Sequence, residues 1–211
     1  MPKRKIKVLV IGGHTEGFHQ FKLMRPIYKK FLGKAGFNVT LTEDWDNLKP
    51  EAIKPYDVII GYTTGENLTD EQRQGLMNGI VSGKGFVGIH SAADSFKETP
   101  GYINMVGGKF LTHPAQIKHR FKVLKKSHPI MKGVKDFTMV EELYLMETYG
   151  HFDLLMSAKY KGIERPIAWV KGYGHGRVFY LALGHGEEQT SNPNFQKLMV
   201  NGVRWAVNPD R

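Results

Sequence analysis

The first half of the chain is punctuated by short, unbroken apolar runs, separated by segments in which apolar residues recur every three or four positions. Lys7 to Ile11 is a β-branched run that leads into Gly12-Gly13-His14. The segment after it places Phe21, Met24, Ile27, Tyr28, Phe31 and Leu32 on one helical face, so a strand, a loop and a helix are predicted in that order. Val39 to Leu41 predicts a second short strand. Tyr56-Asp-Val-Ile-Ile-Gly61 and Gly85-Phe-Val-Gly-Ile-His90 are apolar without alternation, the pattern of strands buried on both faces of a parallel sheet. Between them Thr69 and Gln72 have the spacing of a capping box, and the helix they open is expected to stop at Gly83.

From about Arg120 the pattern changes. Phe121 to Leu124, Leu143 to Met146 and Ile167 to Val170 read as short strands with few helices between them, so the sheet is expected to gain antiparallel members in the C-terminal half. Gly172-Tyr-Gly-His-Gly176 reads as a hairpin turn, and the strand-like run Val178 to Leu183 ends in Gly184-His185-Gly186-Glu187. Asn192 and Pro193 open a last helix with Phe195, Leu198, Met199, Val203 and Ala206 on its buried face. The expectation is an α/β protein with a mostly parallel sheet, helices on both faces, and ligands bound beyond the carboxyl ends of the strands.

Length and composition narrow this picture. A chain of 211 residues, 41% of them apolar, is enough for one core, and residues 1–211 read as a single domain. The absence of cysteine excludes disulfides, thiolate metal ligands and thiol nucleophiles. The net charge of +10 is spread along the chain without interleaved aromatics or a nucleic-acid motif, so it reads as solvated surface and nucleic acid is not expected as a partner. The basic stub at Met1 runs straight into a strand, with no signal-like or membrane-spanning apolar stretch. A cytoplasmic protein without a membrane partner is the expectation.

Of nine histidines, His14, His90 and His185 directly follow strands predicted to be central, where a doubly wound sheet makes side chains converge. Gly88-Ile-His90-Ser-Ala92 has the small residues that a nucleophile elbow needs on either side of an exposed tip, and His90 occupies the tip. Ser91 is the weaker nucleophile candidate, because centring the elbow on it places Ile89 where a small residue belongs. His185-Gly-Glu187 sets a carboxylate two residues from an imidazole, so Glu187 is a candidate to orient His185. No dinucleotide fingerprint or phosphate loop is present.

Six ordered segments carry a resemblance: Gly12-Gly-His14, Gly83 to Ala92, Gly107-Gly-Lys-Phe-Leu-Thr-His-Pro114, Ser127-His-Pro129, Glu141-Glu-Leu-Tyr144 and Gly174 to Gly186. Together they are similar to the ThuA-like (trehalose utilisation) family over nearly the whole chain. The resemblance implies a three-layer, flavodoxin-like sandwich of the class I glutamine amidotransferase-like superfamily and a role in disaccharide or 3-keto-sugar catabolism. His90 stands where amidotransferases carry cysteine, so amidotransferase activity is not implied. On that fold His14, Glu16, His113, Glu142 and Tyr144 are expected to surround the elbow as substrate-binding residues, with His90, His185, Glu187 and Ser91 as catalytic candidates.

Two chemistries are open for such a pocket. His14, His90, His113 and His185 are candidate ligands for zinc or another divalent ion; without a metal, His90 and His185 would share proton transfer. A sugar-acting hydrolase, lyase or isomerase is one expectation, with a sugar or sugar derivative as partner and a homo-oligomer from general frequency. The alternative is a non-catalytic ligand-binding or accessory domain on a degenerate amidotransferase scaffold.

Overall fold

The structure, a computed structural model, describes residues 4–13, 18–65 and 67–207. Its centre is a nine-stranded sheet of order β2-β1-β3-β4-β11-β10-β9-β6-β7. β1 (Lys7–Gly13), β2 (Asn38–Thr42), β3 (Val58–Thr63), β4 (Gly85–Ile89) and β11 (Gly176–Leu181) are mutually parallel. β10 (Ile163–Tyr173), β9 (Asp153–Tyr160), β6 (Ile117–Val123) and β7 (Phe137–Glu141) extend the sheet in antiparallel order. The sandwich is therefore mostly parallel at one side and antiparallel at the other, as the change of pattern near Arg120 predicts.

Continuous apolar runs become intelligible once both faces are covered. Within β1, Val8 and Val10 enter one core while Leu9 and Ile11 enter another, and β3 divides Val58 and Ile60 from Ile59 in the same way. The first core lies under α1 (Phe21–Lys34) and α6 (Pro193–Ala206), which contribute Tyr28, Leu32, Phe195 and Met199. The second lies under α2 (Pro50–Ile53), α3 (Asp70–Val81) and α4 (Pro100–Val106), through Ile53, Leu76, Ile80 and Tyr102. At about 25 cal/mol per Å² of apolar surface, each fully buried Ile, Val or Phe contributes roughly 1.5–3 kcal/mol, so both layers are needed to hold strands of this composition.

The local signals behave as their chemistry requires. The Thr69 side chain accepts the Gln72 N–H while Gln72 returns a bond to the Thr69 N–H, a complete capping box on α3. Asn192 caps α6, whose first residue is Pro193. β10 and β11 form the expected hairpin, pairing Tyr173 with Gly176. One expectation changes: Leu143 and Tyr144 precede the strand, which runs from Leu145 to Thr148 (β8), and it leaves the main sheet to pair with β5 (Gly108–Thr112) as a separate two-stranded ribbon. Among the described residues no helix is long and apolar enough to cross a membrane.

A last short helix, α5 (Glu187–Ser191), follows β11. It lies beside α1 and the end of β7, so the segment between β11 and α5 faces the carboxyl ends of the parallel strands.

Candidate functional site

β4 ends at Ile89, and His90 begins a short 3-10 turn, His90–Asp94, that packs against β3 and β5. The turn at the tip is sharp: His90 has φ 42, a left-handed conformation costing a non-glycine residue about 1–3 kcal/mol. Two bonds hold it there. Its Nδ1 lies 2.8 Å from the Ala182 carbonyl, and the Tyr180 hydroxyl donates to the His90 carbonyl at 2.8 Å. Gly88 permits the close approach, since a Cβ there would meet Tyr180 at 3.1 Å and Phe86 at 3.2 Å. The elbow geometry read from Gly88 to Ala92 is thus present, with a 3-10 turn in place of an α-helix.

Because a carbonyl oxygen only accepts, the bond to Ala182 fixes the proton on Nδ1 of His90 and leaves Nε2 with its lone pair turned into the site. His90 is fully buried, and that burial keeps its pKa below the ordinary histidine value, which favours this neutral form. Opposite it, Glu142 Oε2 lies 3.4 Å from His90 Nε2, 3.0 Å from His185 Nδ1 and 3.7 Å from His113 Nε2. Burial works to raise the Glu142 carboxyl, but the combined hydrogen-bonding and electrostatic pull of His185 and His90 outweighs it and holds the group below the usual carboxylate range.

His19 completes the group. It belongs to the connection between β1 and α1, has φ 51, and places its Nδ1 2.9 Å from the Thr64 hydroxyl. Its ring lies 4.9 Å from that of His90 and 5.0 Å from that of His185, centroid to centroid. Its buried Nε2 has no hydrogen-bond partner among the described residues. Burial first, then the neighbouring imidazoles of His90 and His185, push its pKa down to about 3, so it too is neutral at ordinary pH. One ligand atom each from His19, His90, Glu142 and His185 can be chosen so that all lie within 4.8 Å of one another.

A second tier of residues fixes the backbone beneath the cluster. The Tyr62 hydroxyl donates to the His185 carbonyl at 2.6 Å, and Gly184, with φ 111, precedes it. A side chain at Gly184 would be strained, and its Cβ would sit 2.7 Å from the Phe195 ring. Glu141, fully buried at the end of β7, accepts the Gly184 N–H at 2.6 Å and the Glu142 N–H at 3.0 Å. Burial pushes the Glu141 carboxyl up to about 8, against the pull of these N–H donors. Tyr144 forms one wall, its ring 4.0 Å from His90 and 4.2 Å from Phe110, with His113 stacked at 6.1 Å.

The structure therefore brings together His90, His185, His113, Glu142 and Tyr144 from four separate stretches of sequence. His14 and Glu16 lie outside the described residues, and it is His19, unflagged by any sequence pattern, that enters from the same connection. Glu187 needs correction: it is exposed in the first turn of α5, and the carboxylate on His185 is that of Glu142. The two-residue spacing misleads because the chain turns into a helix at Glu187 and carries its side chain to solvent. Ser91 is fully buried, and its hydroxyl has no hydrogen-bond partner among the described residues. Trp169 is core, with its indole N–H on the Val106 carbonyl at 2.8 Å.

Comparison with known proteins agrees with this architecture. The sequence profile of the ThuA family, described as trehalose utilisation, matches residues 7–206. A ThuA-like protein from Parabacteroides merdae superimposes with a TM-score of 0.87 at 21% identity, covering 97% of this chain and 91% of that one. A ThuA-like protein from Bacteroides uniformis gives 0.82 at 26% identity, covering 99% and 94%. The β-galactosidase of Bacillus circulans sp. alkalophilus shares the fold alone, at TM-score 0.65 and 13% identity, over 97% of this chain and 32% of that one. No curated protein matches the chain in sequence.

Proposed function

The chain belongs to the ThuA family, and from that premise we propose that His19, His90, His185 and Glu142 form a divalent-cation centre in an enzyme acting on a carbohydrate-derived substrate. The observation that carries the reading is a convergence of lone pairs. Nε2 of His90 presents an acceptor lone pair met only by a long 3.4 Å contact from His185 Nδ1, Nε2 of His19 is buried without a partner among the described residues, and both face the same site as an anionic carboxylate oxygen. The single Nδ1 proton of His185, 3.0 Å from Glu142 Oε2 and 3.4 Å from His90 Nε2, cannot satisfy all of these acceptors, and a cation relieves all of them at once.

The donor set suits the proposal. Neutral imidazoles with one carboxylate are the ligands that zinc and similar borderline ions prefer, and the carbonyl of Ala182 behind His90 is the kind of outer partner that orients a ligating ring. A divalent ion bound there supplies Lewis acidity toward a carbonyl oxygen or a bound water. His113, 37% exposed at the mouth, and the Tyr144 and Phe110 rings are placed to orient a small polyhydroxylated molecule. Hydrolysis, elimination and isomerisation of a sugar derivative all use such a centre, and the family's association with trehalose utilisation supports the substrate class.

The test is elemental analysis of purified protein beside His19→Ala, His90→Ala and His185→Ala. Near-stoichiometric zinc, manganese, iron or cobalt in the parent, lost in each variant, is the expected result. A parent that takes up none of these ions, even after dialysis against them, removes the reading and returns the pocket to metal-free proton transfer or simple binding.

A further inference from the structure

Two adjacent glutamates at the end of β7 do different work, and the inner one has no cationic partner among the described residues to account for its burial. Glu141 is fully buried, yet both of its carboxyl oxygens are engaged by main-chain donors: Oε2 by Gly184 at 2.6 Å and Oε1 by Glu142 at 3.0 Å. The first donor belongs to the segment between β11 and α5 that carries His185, and the second to the residue whose side chain meets His90, His113 and His185. Glu141 thus ties together, across 43 positions of sequence, two loops that no strand pairing joins, since β7 and β11 lie at separate places in the sheet.

We infer that Glu141 is a positioning residue for the metal centre, fixing the distance between His185 and Glu142; the inference rests on the cation reading above. Its chemistry is specific. In its ionised form Glu141 accepts on both oxygens, whereas an amide offers one oxygen and opposes an NH2 group to one of the two backbone donors. Alanine leaves buried N–H groups without partners. Tyr62 and Gln189 brace the same region, through bonds to the His185 carbonyl and the Val140 carbonyl, but neither links the His185 segment to the Glu142 amide.

The experiment titrates zinc and cobalt into metal-stripped parent, Glu141→Ala, Glu141→Gln and, as a stability control, Val203→Ala, a buried change in α6 outside the cluster. Loss of an outer positioning partner weakens metal binding by about 10- to 100-fold. Glu141→Ala is expected to fall in that range with an altered cobalt absorption spectrum, Glu141→Gln to lie between it and the parent, and Val203→Ala to bind as the parent does despite a lower melting temperature. Parent-like affinity and spectrum in Glu141→Ala overturn the positioning role while leaving the metal centre intact. If the parent binds neither ion, the metal reading fails separately, and the anchoring is judged from the ring 15N resonances of His90 and His185: shifts in Glu141→Gln uphold it, unchanged resonances overturn it.

Discussion

The parallel and antiparallel halves of the sheet solve burial differently, and the site lies where they meet. In β3 every residue from Val58 to Thr63 is buried, because α1 and α6 cover one face and α2, α3 and α4 the other. In β6 the pattern alternates: His119, Phe121 and Val123 are buried, and Lys118, Arg120 and Lys122 face outward. The parallel half is a rigid platform whose strand ends deliver His90 and His185; the antiparallel half, through β7, contributes Glu142. Neither half holds the cluster alone. A residue's side of the sheet, and not its hydrophobicity alone, therefore decides what its replacement does.

The largest expected effects test that directly. Phe121→Ala is expected to cost about 3–5 kcal/mol, and Ile59→Ala and Ile60→Ala about 2–5 kcal/mol each, since all three residues are buried and the last two fill opposite cores. At roughly 2–4 °C per kcal/mol for a chain of this size, thermal melts resolve all three. If one of the adjacent isoleucines proves nearly neutral, the face it serves is not a packed core and the three-layer picture fails there.

Much of this architecture is legible in the sequence because the parallel strands are short and apolar throughout and their punctuation is strong. Thr69, Gln72, Asn192 and Pro193 mark helix starts through side-chain bonds local to the sequence. β5, β7, β9 and α4 escape notice because tertiary pairing defines them. Phe137–Glu141 is a weak five-residue pattern, and Pro100–Val106 is only seven residues long. In the site, His90, His185, His113, Glu142 and Tyr144 are findable through strand ends and motif resemblance. His19 has no such signal, since a positive φ in an irregular connection leaves no periodicity. Glu141 accepts main-chain N–H groups, a role that composition cannot distinguish from that of a solvated glutamate.

Next in size is the helix cover of the parallel half. Thr69→Ala removes the capping box that starts α3 over the second core, and a loss of about 1 kcal/mol is expected in chemical denaturation, with the denaturant slope unchanged. Thr69→Asp, which keeps a capping oxygen, is expected to recover most of it. Equal loss in both variants would mean that the bond to the Gln72 N–H does not matter.

A smaller effect belongs to the antiparallel half and depends on pH. His119 is 6% exposed in β6, its Nε2 is buried without a hydrogen-bond partner among the described residues, and burial lowers its pKa. The unfolded chain takes up a proton near pH 6.5, and the folded state only at lower pH. Between those points the unfolded state binds more protons, so this group's contribution to stability falls as pH drops below about 6.5. His119→Leu removes the group. The variant is expected to lose less melting temperature than the parent between pH 7.5 and 5.5, and equal losses would place the parent's acid sensitivity elsewhere.

The smallest effect completes the contrast with Phe121. Lys122 is its immediate neighbour on β6, pairs in register with Ser157 of β9, and points to the face that no helix among those described covers. Removing an exposed side chain there forfeits little packing, and Lys122→Ala is expected to change stability by no more than about 0.5 kcal/mol. The comparison is sharper than either value alone, because both substitutions leave the same strand with one alanine, one on the buried face and one on the exposed face. A Lys122→Ala loss approaching that of Phe121→Ala would mean that this outer face is covered in solution, and sedimentation at rising protein concentration would then test a second copy of the chain as the cover.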